Sequence, residues 1–97
     1  MTSATIDIDE LLEASEGVSG GRPCLKGTRT TVHIVAAHHL GGMSAEEILD
    51  GFPRASLAGI HAALAYYYAH KAEVDADLAE DAAFGEEAAR QLGAEVI

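Results

Sequence analysis

Cysteine, proline, aromatic residues and positive charge are all scarce in this chain of 97 residues. A single cysteine, Cys24, excludes an internal disulfide and leaves no C-x-x-C pair for a redox or metal centre. With only Pro23 and Pro53, long stretches are free to be helical. The chain has no tryptophan, and its aromatics are Phe52, Phe84, Tyr66, Tyr67 and Tyr68, so alanine and glycine supply much of its apolar content. A core built this way is modest and points to dimerisation as a further source of stability. There is no apolar run of spanning length and no signal-like h-region, so one small, soluble, cytoplasmic domain is expected.

The scarce positive charge is unevenly placed. Residues 1–21 carry five acids and no Lys or Arg; residues 72–97 carry eight acids against Arg90 alone. Between them, residues 22–71 hold Arg22, Lys26, Arg29, Arg54 and Lys71 against Glu46, Glu47 and Asp50, together with all five histidines. A net charge of −10 disfavours nonspecific nucleic-acid binding by the whole chain. The slightly basic centre still leaves room for a local basic face.

Gly20 to Val32 is the densest segment in residues with special backbone or charge properties, with three glycines, Pro23, Cys24 and three of the six cations. Lys26-Gly27 reads as a tight turn between two extended pieces, Pro23–Leu25 and Arg29–Val32. Ahead of it, Thr5–Ile8 alternates like an edge strand, and Asp9 is placed to cap a brief helix through Leu11, Leu12 and Ala14. After it, Val32, Val35, Ala36 and Leu40 recur at helical spacing until Gly41-Gly42. Ser44 and Glu47 then form a capping box, with Met43 and Ile48 spaced as a hydrophobic staple. That short helix ends at Asp50-Gly51. Ser56 caps a longer one with Leu57, Ile60, Ala63, Leu64 and Tyr67 on its apolar stripe. Without a Gly or Pro before Gly85, the long helix is expected to run on through Ala69–Leu78, followed by a last short helix over Glu86–Leu92. A short helix, a Gly/Pro-containing turn and a longer helix make a helix-turn-helix.

The blocks Gly21-Arg22-Pro23-Cys24-Leu25-Lys26-Gly27-Thr28-Arg29, Gly42-Met43-Ser44-Ala45-Glu46-Glu47-Ile48-Leu49 and Phe52-Pro53, continued by Ile60–Tyr66, resemble the family called domain of unknown function 433. The resemblance covers about residues 17–70. It departs at Thr30-Thr31, where the family usually has an aliphatic–Pro pair, and at Cys24, where valine is typical. It implies a helix-turn-helix domain of the VapB antitoxin type, a class whose genes often sit beside a PIN-like ribonuclease toxin. The acidic C-terminal segment lies outside the family pattern.

Lys26 precedes Gly27 rather than following it, which rules out a Walker-type phosphate loop. Two readings of the hairpin stay open. In one it is structural, with Arg29 tied to an acid; in the other Arg22, Lys26 and Arg29 contact phosphates along an exposed edge. The long helix offers Ser56, Ala58, Gly59, His61 and Ala62 in its first turns, with no Arg, Asn or Gln for bidentate base contacts, while Arg54 just upstream can hold a phosphate. The DNA-binding set is therefore Arg22, Lys26, Arg29, Arg54, Ser56 and His61. His38 and His39 diverge on a helix and no carboxylate or thiolate pattern completes a set, so no metal and no cofactor is expected. No nucleophile–base or paired-carboxylate signature assembles, so no enzymatic activity is expected. For the acidic tail the alternatives are a solvated helix and a partner-docking segment with Val74, Leu78, Phe84 and Leu92 as anchors, and Arg90 as the cation able to meet a nuclease's carboxylates.

The sequence thus predicts a mainly α fold: a short N-terminal β-hairpin and a helix-turn-helix three-helix core together over residues 1–71, and a helical acidic tail over 72–97. The expected function is that of a homodimeric antitoxin that neutralises a PIN-like ribonuclease toxin and binds its own promoter DNA. A stand-alone dimeric adaptor and a transcription regulator without a toxin are the alternatives.

Overall fold

The computed structural model describes residues 11–14, 17 and 19–96, with the side chains of 19, 89 and 91–96 excepted. Among the described residues, two short strands, β1 (Leu12–Glu13) and β2 (Cys24–Leu25), precede four α-helices: α1 (Val32–Leu40), α2 (Ala45–Gly51), α3 (Leu57–Ala69) and α4 (Lys71–Val96). The fold is mainly helical with a small antiparallel sheet at its N-terminal end.

Leu12 pairs with Leu25 and Glu13 with Cys24. This corrects the brief helix expected across Leu11–Ala14. Strand pairing buries Leu12 against the core and lets the Lys26 N–H donate to the Leu11 carbonyl at 2.8 Å, a partner a lone helical turn lacks. The expected Thr5–Ile8 strand and the Asp9 cap lie outside the described residues. On the other side of β2, the Leu25 N–H donates to Thr30 O and the Val32 N–H to Pro23 O, both at 2.9 Å. The Thr28 N–H donates to Leu25 O at 3.0 Å, closing the turn, and Gly27 meets its left-handed requirement with φ 77°. The turn expected at Lys26-Gly27 is present, but the expected second arm over Arg29–Val32 reduces to a single Thr31 bridge to Cys24, β2 takes β1 as its strand partner, and Val32 already belongs to α1.

Each of the first three helices starts on a hydroxyl cap. Thr31 Oγ1 accepts from the Ile34 N–H at 3.1 Å, and Ser56 Oγ accepts from the Gly59 N–H at 3.0 Å. At α2 the capping box is complete: Ser44 Oγ accepts from the Glu47 N–H at 3.2 Å while the Ser44 N–H donates to Glu47 Oε1 at 2.9 Å. Holding the charged form in that bond lowers the Glu47 carboxyl below its usual range. Val32, Val35, Ile48, Ile60, Ala63 and Tyr67 bring the inner faces of α1, α2 and α3 into one core, sealed by Leu12 and Leu25 from the sheet.

Two further boundaries differ from the sequence expectation. The long helix does not run through residue 70: α3 stops at Ala69, and the His70 N–H turns back to the Tyr66 and Tyr67 carbonyls. The break returns the chain to the core, where Val74 is 1% exposed and Tyr67 Oη donates to Asp75 Oδ1 at 2.7 Å. Conversely, α4 passes through Gly85 and Gly93 without stopping, in place of a separate helix over Glu86–Leu92. An internal glycine weakens a helix by only about 1 kcal/mol, too little to interrupt 26 residues of otherwise helix-favouring sequence. The first half of α4 lies on α1 and α3; beyond Leu78 it leaves the core, giving the molecule its 67 × 28 × 24 Å extents.

Candidate functional site

Two features stand apart from the core: a basic cleft beside the hairpin, and the far half of α4. The cleft, about 780 Å³, opens between the β2 turn and the α2–α3 connector. Thr28 shapes the turn side. Its hydroxyl donates to Leu25 O at 2.8 Å and accepts from the Thr30 N–H at 3.1 Å, leaving Arg29 exposed between them. Arg54 comes from the connector, where the Ala55 N–H donates to Phe52 O at 2.9 Å. Ile34, Phe52 and Pro53 give the cleft an apolar wall. Phe52 is set by an edge-on contact with the His38 ring, centroid to centroid 5.5 Å. The carboxylate on the rim, Glu13, is occupied: its Oε2 accepts from the Gly27 N–H at 2.8 Å.

A smaller depression of about 180 Å³ shares Arg54 with this cleft and adds Lys26, Ser56 and Gly59. The fold therefore gathers Lys26, Arg29, Arg54 and Ser56 on one side, although 24 or more residues separate the turn from the connector. None of these three cations has an ion pair among the described residues. His61 is exposed one turn into α3 and lines neither depression, whereas Gly59 and Ala62 are buried. The outward surface of the first turns of α3 thus reduces to Ser56, Leu57, Ala58 and His61.

The tied arginine of the hairpin is Arg22, not Arg29. The Arg22 guanidinium donates to both oxygens of Asp81 on α4, at 2.8 and 3.1 Å, a fork-to-fork geometry. That contact raises the Arg22 pKa and holds the Asp81 carboxyl below its usual range. One helical turn earlier, Asp77 Oδ2 lies 2.8 Å from Nε2 of His33, which is buried in the first turn of α1. Asp77 and Asp81 thus lash α4 to the N-terminal half of the chain, a pairing without a local sequence signal because the partners are 44 and 59 positions away. Asp75, between Lys71 Nζ at 2.7 Å and the Tyr67 hydroxyl, is likewise held below the usual carboxylate range, chiefly by the Lys71 contact.

These anchors divide the expected partner-docking residues. Val74 is fully packed and Leu78 is half-buried against the core, so both serve the fold itself. Phe84 is 78% exposed, the most exposed of the large hydrophobics described. Arg90 is exposed and pairs with Glu87 Oε2 at 2.6 Å, and the side chain of Leu92 lies outside those described. Of the tyrosines, Tyr67 is in the core as expected. Tyr68 is exposed and hydrogen-bonded to His39 Nε2 at 2.6 Å, and Tyr66 stacks on His70 with centroids 4.3 Å apart.

The family model described as "Protein of unknown function (DUF433)" matches residues 7–67, more than half of the chain. No curated protein matches. Among solved structures, the crystal structure of a DUF433 member protein from Anabaena variabilis is similar, with a TM-score of 0.68 and 25% identity, over 74% of this chain and 71% of that one.

Proposed function

This chain belongs to the DUF433 family, and from that premise we propose that it is the antitoxin of a type II toxin–antitoxin pair, a non-enzymatic protein that neutralises a PIN-like ribonuclease. In this reading α1–α3 form a helix-turn-helix core, α2 and α3 being its two arms, and the far half of α4 is the segment that occupies the nuclease. The observation that carries the reading is the acidic α4 leaving the core with Phe84 presented to solvent. A buried aromatic anchor is the type of residue that dominates binding interfaces, and a carboxylate-rich helix suits the basic channel of an RNA-cutting enzyme. Arg90 supplies the cation for the nuclease's acidic centre. Its pair with Glu87 is solvent-exposed and weak enough to exchange.

Lys26, Arg29 and Arg54 support promoter binding by the same protein. They lie on one face, where α3 itself offers few base-reading groups, and have no ion pair among the described residues. Affinity would then come from phosphates, with a slope of log K on log salt of roughly −3 per protomer for three contacts. The decisive experiment is co-expression with a PIN-like protein, taken from the neighbouring gene where that gene encodes one. Co-purification of a complex with suppressed ribonuclease activity is expected. If the two proteins purify apart and the nuclease stays active, the antitoxin reading fails. A salt-sensitive promoter shift that persists without any complex would then support the regulator without a toxin.

A further inference from the structure

The basic cleft and the exposed end of α4 have complementary layouts. In the cleft, two guanidiniums, Arg29 and Arg54, flank the apolar wall of Ile34, Phe52 and Pro53. On α4, Glu80, Phe84 and Glu87 follow at i, i+4 and i+7, so an aromatic ring sits between carboxylates on one helix face. All three are exposed. We infer that the free chain self-associates by placing the Glu80–Phe84–Glu87 face of one copy's α4 in the Arg29/Arg54 cleft of another. This goes beyond the proposed function, because it concerns the chain with neither nuclease nor DNA present.

The contact has to be between molecules. The His33–Asp77 and Arg22–Asp81 contacts fix α4 against the core just before residue 84, and the helix continues unbroken past that point. Phe84 remains 78% exposed, so it does not fill the cleft of its own copy. A second copy is the favoured occupant because every molecule carries both halves with opposite charge. Residues 22–71 are net positive and residues 72–97 strongly negative. The cleft falls in the size range that encloses a compact apolar group with flanking polar contacts. Reciprocal docking of two copies repeats the same contact twice and closes a two-fold dimer, whereas one-way docking propagates an open chain. Glu87 enters by exchanging its exposed Arg90 pair for a cleft arginine, so the contact does not require it to be free beforehand.

Sedimentation velocity of the full chain across a concentration series, at low and high salt, tests this. Dimer is expected at low salt and its dissociation at high salt, since the pairs at the mouth of the cleft are screened. Phe84→Ala and the double change Arg29→Glu/Arg54→Glu should each weaken self-association by about tenfold or more. Glu80→Arg/Glu87→Arg should do the same, and combining it with Arg29→Glu/Arg54→Glu should restore the dimer. Circular dichroism checks that each variant keeps its helix content, as expected for exposed positions. A chain that is monomeric throughout overturns the inference, as does a dimer indifferent to these changes. It is equally overturned if the chain stays monomeric while Phe84→Ala abolishes only nuclease capture and Arg29→Glu/Arg54→Glu only the DNA shift. The two faces would then belong to those partners.

Discussion

Gly59→Ala is a substitution whose sign turns on one packing contact. Gly59 is the third residue of α3, buried against β2, with its N–H capped by Ser56 Oγ at 3.0 Å. In an open helix the change to alanine would stabilise by up to about 1 kcal/mol, and less in a first turn that already has its cap. Here a methyl group would lie 3.1 Å from Ser56 Oγ and 3.2 and 3.4 Å from Leu25 Cδ2 and Cγ. Leu25 has little freedom to yield: it is 2% exposed, it pairs with Leu12, and its N–H is held by Thr30 O. Overpacking of a rigid core costs about 1–3 kcal/mol, which exceeds the propensity gain. The expected outcome is a net loss of about 1 kcal/mol, a fall in Tm of roughly 4–8 °C for a domain of this size. Thermal unfolding followed by circular dichroism measures it. Leu25→Val in the same background should recover part of the loss, since the two sites share one contact and are not additive. A Tm equal to or above that of the parent would refute the reasoning, because it would mean that the β2–α3 seam has room to spare. The hairpin that carries Lys26 and Arg29 is seated against α3 through that seam.

Three shorter predictions follow from the caps and the carboxylates. Ser44→Ala removes the cap of α2 and should cost about 1 kcal/mol, read from the midpoint of urea unfolding; an unchanged midpoint would show that the capping box contributes nothing. Asp75 and Asp81 are held below their ordinary value of 3.8, by Lys71 and by Arg22 respectively. A depressed carboxyl stabilises the fold fully above its unfolded value, and that contribution is lost as pH falls through the folded value. Stability should therefore be flat above about pH 5 and decline from about pH 4 downwards; Arg22→Gln should shrink that acid-side decline, and an identical pH profile would count against the Asp81 contact. The same Arg22→Gln change should raise amide hydrogen exchange in α4 around Asp81 while leaving α2 unchanged, because the tie acts only on that helix.

Much of the fold was legible in local chemistry. Thr31, Ser44 and Ser56 are short hydroxyl side chains placed just ahead of apolar periodicity, and each caps the helix it precedes. Lys26-Gly27 marked the hairpin because a left-handed φ is needed there and glycine supplies it. Periodicity could not see the break at His70, since no residue there forbids a helix. The chain turns because Val74 gains burial and Tyr67 gains a carboxylate partner by folding back. The same blindness assigned Val74 and Leu78 to a partner when the core needed them, and gave the structural tie to Arg29 when Asp81 was within reach of Arg22.

By itself, then, the sequence determined what is encoded within a few residues: the helix starts, the hairpin turn, the scarcity of cations and the acidity of the C-terminal segment. Tertiary structure alone decided how those cations are placed and which of them pair among the described residues. Arg22 is consumed by a carboxylate 59 positions away, while Arg29 and Arg54, 25 positions apart, meet across a single cleft. Charge pairing depends on distance in space, and that distance exists only once Leu25, Ile60 and Val74 have closed the core and set the hairpin, α3 and α4 in register.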